Sequence, residues 1–402
     1  MRNKTVDCLV GLQWGSEAKG KVSGYLGPEY NAMVRSGGPQ AGHTFFDKDV
    51  KHINRQVPCG VINPNCLLYL SANSLVNLEV LGSEIRRYNL YPDRLMLDNH
   101  TMVITDKHIN REQKSSLENK LASTLEGVGA AQSEKIWREG YLFDHYANKD
   151  PELYFFSNDT VKAINEQIQK KHPVLLEGTQ GFGLSLNHGE YPYVTSRDVT
   201  SSALLSDAGI SPTHYNQTIG VMRTYPIRVG GNSGPTSSKE LTWEEITNRS
   251  SSSEPLIEYT TVTGRMRRTF EQDFEILEKA ILVNQPDQIA LMFLDYINAT
   301  DYGKTKFDDL SAKSQKYINN LEERLNIPIT LIGTGPGEKH MIDLREDNQK
   351  RYPIENPLED LDCGFWPTNF YGSDWDSGYI KEFLDRKMTD EKGSPFKRKI
   401  FC

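Results

Sequence analysis

The stretch Val10-Gly11-Leu12-Gln13-Trp14-Gly15-Ser16-Glu17-Ala18-Lys19-Gly20-Lys21 decides how the chain is read. It runs an apolar strand into a glycine-broken turn and then into a helix start, the geometry in which backbone N–H groups converge on an anion. Gly15 and Gly20-Lys21 have the spacing of a P-loop, whose lysine meets the outer phosphates of a nucleotide. Val22 stands where a P-loop carries the Ser or Thr that ligates magnesium, so a metal here needs other ligands. A strand-to-helix turn with incidental glycines would show the same spacing, and short glycine patterns do occur by chance.

Outward from this loop the same grammar repeats. Val6 to Leu12 is the nearly continuous apolar run of a parallel strand buried on both faces, and a helix is expected from near Lys19. Ala32–Arg35 leads into Ser36-Gly37-Gly38-Pro39-Gln40-Ala41-Gly42-His43-Thr44, and Val174–Glu177 into Gly178-Thr179-Gln180-Gly181. Ile329–Ile332 leads into Gly333-Thr334-Gly335-Pro336-Gly337, and Ile289 to Leu294 ends at Asp295. Leu67 to Ser71 and Leu95 to Asp98 read as further strands, with a helix from Leu75 to Tyr88 between them and an amphipathic stretch from Asn158 to Lys171. Strands alternating with helices give an α/β fold with a large, mostly parallel central sheet flanked by helices and a P-loop-like nucleotide site.

Composition narrows the function. A formal charge of −8 excludes broad binding to polymeric nucleic acid, which needs clustered Lys and Arg. No apolar run is long enough to span a bilayer, and Met1-Arg2-Asn3-Lys4 enters a strand-like run without a signal-peptide pattern, so a cytoplasmic protein is expected. Cys8, Cys59, Cys66, Cys363 and Cys402 form neither C-x-x-C nor a regular framework and read as free thiols. At 402 residues the chain has room for one large domain or two smaller ones. Periodicity fades after about Asp343, which divides a body of residues 1–343 from a C-terminal extension of residues 344–402 with no assigned role.

Other stretches carry candidate chemistry beside a plainer reading. His43 follows Gly42, which permits close backbone approach, although a lone loop histidine is more often structural. Ser123 to Gly129, with Thr124, suits either an anion-contacting loop or a simple connection. Asn187 to Thr195 reads NHGEYPYVT, whose tyrosines suit a wall for a flat base or core packing. Ser250 to Ser253 reads as an exposed flexible loop. Thr260 to Arg268 holds three arginines within four residues, able to clamp carboxylate or phosphate bidentately, or to stand solvated. Phe270, Phe274, Leu277 and Ile281 fall at helical spacing behind it.

Taken together, the QWGSEAKGK loop, GGPQAGHT, LLEGTQG, HGEYPYVTS, TGRMRR, Leu294-Asp295 and GTGPG resemble adenylosuccinate synthetase, in the same linear order from Val6 to Pro336. Members of that family join aspartate to C6 of a purine nucleotide: a nucleoside triphosphate phosphorylates the 6-oxygen, and the aspartate amine then displaces the phosphate. The resemblance implies that His43 is the general acid at the phosphoryl group, that Lys19 neutralises developing charge, and that Gln180 and Ser16 belong to the catalytic set. It implies Mg2+ held by the Gly42 carbonyl and at Ser16. Thr124, Gln180 and Thr195 would hold the monophosphate, and Gly15, Gly20, Lys21, Asp295, Gly335 and Pro336 would contact nucleotide. Thr263, Arg265 and Arg267 would grip aspartate. Arg138 matches an arginine that crosses a dimer interface to bind nucleotide in the partner's site, so a homodimer is expected.

Two departures refine the expectation. The family carries an aspartate at the position of Ser16, which removes the N1 proton of IMP and ligates magnesium; a serine hydroxyl cannot do the first near neutral pH. A small hydroxyl there opens space for a 2-amino group. The chain thus resembles the phage-type 2-aminoadenylosuccinate synthetases, which use dGMP on the way to diaminopurine DNA. The implied reaction consumes dGMP, L-aspartate and ATP and gives 2-amino-2'-deoxyadenylosuccinate; the alternatives are an IMP-dependent enzyme and a non-catalytic nucleotide-binding protein. N1 would then be deprotonated by Glu17, by water or by a substrate phosphate. Phe293 and Gly333 replace a lysine and a serine that read the guanine of GTP in the family, while Asp295 remains, which favours ATP or dATP as donor.

Overall fold

The computed structural model describes residues 4–260, 264–346, 349–351 and 353. Its frame is a ten-stranded sheet. In chain order the strands are Val6–Gly11 (β1), Ala32–Arg35 (β2), Leu67–Leu70 (β3), Leu95–Asp98 (β4), Ser157–Asn158 (β5), Val174–Glu177 (β6), Tyr215–Arg223 (β7), Gln288–Met292 (β8), Ile329–Gly333 (β9) and Met341–Asp343 (β10). Across the sheet they run β10-β9-β8-β7-β1-β6-β2-β3-β4-β5, and every pairing is parallel except the edge pair β9–β10. Alternate side chains of the fully buried β1 enter two separate cores, Val6, Cys8 and Val10 on one face and Leu9 on the other. The expected α/β architecture is the observed one.

Six adjacent strands, β9-β8-β7-β1-β6-β2, point their carboxyl ends the same way, and the loops that follow them gather there. Open parallel sheets bind ligands at that edge. β7, the longest strand, is the element that apolar runs do not reveal. Its Gln217 and Thr218 are buried, and Gln217 donates to Asp7 at 2.8 Å while accepting from Gln288 at 2.8 Å, so internal polar pairing replaces hydrophobic continuity.

Other boundaries differ from expectation for local reasons. The stretch Leu75–Tyr88 divides into a short strand Leu75–Val76 and a helix Leu78–Tyr88, because the Asn77 side chain accepts from Glu79 and Val80 N–H and caps the helix. β8 stops at Met292, since Phe293 takes a left-handed φ of 63°. Phe270 closes a short antiparallel strand Arg268–Phe270, and the helix behind it, Phe274–Asn284, starts at its Asp273 cap. Ser250 is not in an exposed loop: it is buried as the last residue of the helix Trp243–Ser250. Cys8, Cys59 and Cys66 are free and buried, while Cys363 and Cys402 lie outside the described residues. Most of the C-terminal extension lies outside them too. Its described beginning is fastened to the body: Arg345 pairs with Glu29 and Asp343, and Arg351 pairs with the buried Asp7. Among the described residues no helix is long and apolar enough to cross a membrane.

The helix after β1 is Lys19–Leu26 (α1), and the hairpin His43–Asp47/Val50–Asn54 packs on it. Gly20 makes this approach possible. A Cβ there would lie 2.7 Å from His43 Cβ and 2.8 Å from the Thr44 nitrogen, and backbone cannot yield as a side-chain tip can. Gly20→Ala is expected to cost about 1–3 kcal/mol through overpacking. Thermal denaturation checks this, and an unchanged melting temperature would refute the packing argument.

Candidate active site

The loop between β1 and α1 is held open from inside. Gly15, Ser16 and Ala18 have φ of 89°, 56° and 67°, and no side chain caps the start of α1; the Lys21 and Val22 N–H groups turn back to the Ala18 carbonyl, which leaves those of Lys19 and Gly20 to meet an anion. Glu17 is fully buried beneath the loop. Its Oε1 accepts from the N–H groups of Gln13 at 3.2 Å and Gly15 at 2.8 Å, and its Oε2 accepts from Lys19 Nζ at 2.5 Å. Glu17 therefore braces the loop, and only Ser16 stands exposed at its tip.

The glycine loop after β2 delivers His43 to the end of β6. His43 Nδ1 lies 2.6 Å from Glu177 Oε1, and Glu177 also accepts from Arg35 at 3.0 Å, Ser23 at 2.5 Å and the Cys59 N–H at 2.8 Å. Burial alone would push the Glu177 carboxyl up, but the hydrogen bond and charge of His43, with Arg35 and Ser23, hold it down near 2. With Glu177 ionised, Nδ1 carries the shared proton and Nε2 is left for a ligand. Burial, helped by the Arg35 charge, lowers His43 itself to about 4. An approaching phosphoryl group would oppose that shift and favour the acid form. His43, Cys59 and Glu177 offer three potential metal ligands within 4.8 Å of one another, but the Arg35 guanidinium already occupies the carboxylate there.

Across the cleft, two arginines share one carboxylate. Arg223, at the end of β7 and fully buried, pairs through NH2 with Glu258 Oε1, and Arg267 NH1 donates to Glu258 Oε2 at 2.5 Å. The buried Nε atoms of Arg223 and Arg267 have no partner. Next to them Asp295 keeps a buried, unpartnered Oδ1, and burial pushes its carboxyl up to about 6 against its own backbone N–H and the Lys21 charge. Lys21 donates to the carbonyls of Gly335 and, at 2.6 Å, His340, tying α1 to the loop after β9. Burial lowers this amine to about 8.

Glu17, Lys19, Lys21, His43, Glu258, Arg267 and Asp295 line one cavity of about 810 Å³, while Arg35, Glu177 and Arg223 are not among its lining residues. Gly15, Ser16, Lys19, Gly20 and Lys21 form its floor, with Gly42 and His43 beside them. Thr124, Gln180 and Thr195 lie on the wall that also carries Tyr191 and Tyr193, while Arg267, Asp295, Gly335 and Pro336 line the rest. Arg265 is outside this lining and binds Glu118 and the Ala122 carbonyl. Arg138 is exposed at the end of the helix Val128–Trp137, and Thr263 is outside the described residues. The roles of Arg35, Glu177, Arg223 and Glu258 are not legible from spacing. Charged residues closing the buried runs Ala32–Arg35 and Val174–Glu177 are the sequence signals among them; the Arg223–Glu258 contact joins residues far apart in the chain.

For Mg2+, the loop supplies neutral oxygens only, the Ser16 hydroxyl and the Gly42 carbonyl, because Glu17 is engaged internally. That donor set fits an ion carried largely by substrate phosphates, as Mg2+ commonly is in phosphoryl-transfer sites. When bound, it would neutralise charge on the transferring phosphoryl group.

An anion loop, a buried histidine–carboxylate pair and an arginine clamp at one parallel-sheet edge define a P-loop-like nucleotide enzyme of the α/β class. The family model described as adenylosuccinate synthetase matches residues 8–154 and 142–304. Adenylosuccinate synthetase of Pyrococcus horikoshii is 36% identical over 344 residues, covering 84% of this chain and 98% of that protein. The enzyme of Methanocaldococcus jannaschii is 37% identical over 350 residues, covering 85% and 98%. Among solved structures, fully ligated adenylosuccinate synthetase from Plasmodium falciparum aligns with a TM-score of 0.75 and 26% identity, over 85% of this chain and 100% of that one. Succinoaminodeoxyadenylate synthetase of cyanophage S-2L, bound to dGMP and to dATP as an energy donor, aligns with a TM-score of 0.73 and 28% identity, over 86% and 97%. The chain belongs to the adenylosuccinate synthetase family and is a C–N bond-forming ligase, which sets aside the non-catalytic alternative.

The Asp295 carboxyl yields a prediction about stability. Its folded pKa lies above the ordinary 3.8, so its contribution is fully present below that value and is lost as pH rises through about 6. Asp295→Asn removes the buried charge, and its gain in melting temperature over the parent should be larger at pH 8 than at pH 5. Equal gains at both pH values would show that Asp295 carries no such strain.

Proposed function

We propose that this enzyme joins L-aspartate to C6 of dGMP, using ATP or dATP, and releases 2-amino-2'-deoxyadenylosuccinate, the diphosphate and inorganic phosphate. The observation that carries the reading is the tip of the phosphate loop, where Ser16 stands exposed and Glu17 is committed beneath it. The position at which the family presents a carboxylate to N1 of IMP therefore holds a small hydroxyl, with room and an acceptor for a 2-amino group. Water or a substrate phosphate would take the N1 proton.

In this reading His43, oriented by Glu177, gives its Nε2 proton toward the phosphoryl group in the acid form, and Lys19 offsets charge at the phosphate loop. Gln180 belongs with them, and Thr124, Gln180 and Thr195 hold the monophosphate. Thr263, Arg265 and Arg267 receive aspartate; the free Nε of Arg267 suits a carboxylate. Gly15, Gly20, Lys21, Asp295, Gly335 and Pro336 receive the donor, and Phe293 and Gly333 favour an adenine base. Ser16 and Gly42 contribute oxygens to Mg2+. The protein would work in the cytoplasm, that of the host if phage-encoded, as a synthetase body of residues 1–343 with the extension 344–402. The IMP-dependent reading draws its support from the archaeal adenylosuccinate synthetases at 36–37% identity.

Incubation with ATP, Mg2+ and aspartate against dGMP, GMP or IMP, with the succinylated product read by mass, tests the proposal. Product from IMP alone would overturn it. Ser16→Asp should lower the ratio of kcat/KM for dGMP over IMP by about tenfold or more, through crowding and misplaced charge. An unchanged ratio would remove Ser16 as the selector.

The assembly proposal rests on Arg138 and its surroundings. Ile136, Trp137 and Tyr141 are 65%, 72% and 58% exposed beside it, an apolar surface that a second copy would cover. In a homodimer with shared sites, mixing an Arg138→Ala chain with a His43→Ala chain should restore part of the activity, because one site in each mixed dimer is intact. No recovery despite proven mixing would refute a shared site.

A further inference from the structure

The Arg223 guanidinium touches three regions at once. NH1 donates to the Ser16 carbonyl at 3.2 Å and to Glu258 Oε2 at 3.2 Å, NH2 donates to Glu258 Oε1, and Cζ lies over the Phe293 ring, 3.9 Å from its centre. Glu258 is one foot of a hairpin and Arg267 the other. The Arg267 N–H donates to the Glu258 carbonyl at 2.9 Å, Tyr259 bridges Met266, and the Thr260 N–H donates to the Arg265 carbonyl at 2.8 Å. Arg265 and Arg267, proposed above to receive aspartate, stand on its described part, residues 258–260 and 264–267. Phe293 lines the cavity with Asp295, and both are proposed above to face the donor.

We infer that Arg223 is a positioning residue that clamps the base of the hairpin 258–267, and that Phe293, stacked on its guanidinium, lets the donor side of the cavity set the affinity for aspartate. The charges support this assignment. Arg223 and Arg267 share the single Glu258 carboxylate, which leaves one positive charge to attract an incoming carboxylate. Phe293 offers Arg223 an aromatic face rather than a competing charge. A cation at position 293 would sit against Arg223 in a buried site and push the guanidinium off Glu258, loosening Arg267 without touching it. Binding linkage then requires reciprocity: a donor that orders Phe293 tightens aspartate binding, and aspartate tightens donor binding by the same factor.

The inference rests on the reading of Arg267 as an aspartate ligand, and kinetics separate the two. With whichever monophosphate the parent enzyme turns over, Phe293→Lys should raise the aspartate KM about tenfold and leave the monophosphate KM unchanged. Phe293→Tyr, which keeps the aromatic face on Arg223, should hold the aspartate KM within about twofold of the parent's whatever it does to the donor KM. Arg223→Lys keeps the charge but loses the fork, and it should also raise the aspartate KM about tenfold, which covers the case of a Phe293→Lys chain that does not fold. A Phe293→Lys effect confined to the donor KM, or an Arg223→Lys aspartate KM equal to the parent's, overturns the inference. If Arg267→Ala leaves the aspartate KM unaltered, the ligand assignment beneath it falls instead, and the inference falls with it.

Discussion

The carboxylate of Glu177 is the interaction on which the site depends. It sits at the end of a central strand with no exposed surface, and it collects Arg35 from β2, Ser23 from α1, His43 from the hairpin and the Cys59 backbone. Four segments are thereby fixed beside the loop between β1 and α1. Removing one member of such a buried ionic group typically costs about 3–5 kcal/mol, because the partner charge is stranded. The arrangement is thus self-enforcing: the fold cannot relax Glu177 without leaving Arg35 unpaired in the core. The same carboxylate fixes the tautomer of His43, so one side chain serves both the packing and the proton transfer proposed for His43.

Much of the sheet was legible because buried parallel strands are written as apolar runs. Ala32–Arg35, Val174–Glu177 and Leu95–Asp98 have the boundaries that their runs indicate. β7 was not legible, although it lies beside β1 at the centre of the sheet. Its Tyr215-Asn216-Gln217-Thr218 start is polar, and those groups are satisfied by Asp7, Asp287 and Gln288, partners that no local pattern announces. Periodicity records the hydrophobic effect; it is silent about hydrogen bonds made across the sheet.

The site divides along the same line. Loops that carry glycine after a strand end were visible, since close approach to an anion demands them, and the cavity brings those of β1, β2, β6 and β9 together. The groups that hold the loops were not. Glu17 illustrates the difference: from sequence it is one of three candidates for a base, and in the structure its oxygens are spent on Gln13, Gly15 and Lys19. Chain separation hides Glu258 in the same way, since its partnership with Arg223 depends on how β7 lies against the hairpin.

The unpaired atoms complete the argument. Buried polar groups ordinarily find partners, and leaving one without costs about 1–3 kcal/mol. Among the described residues Arg223 Nε, Arg267 Nε and Asp295 Oδ1 are buried and unpartnered; Arg267 and Asp295 line the cavity, and Arg223 holds Glu258, which lines it too. Two are cationic and one is a carboxylate held near 6. A cluster of opposite signs that does not close upon itself is held apart by what surrounds it: Arg223 is fixed by Glu258 and Phe293, and Lys21, the cation whose charge acts most strongly on Asp295, is fixed by two backbone carbonyls. Arg267 and Asp295 thereby keep a donor and an acceptor at a cavity that polar ligands can enter, and a ligand that supplies the missing hydrogen bonds binds the more tightly for it.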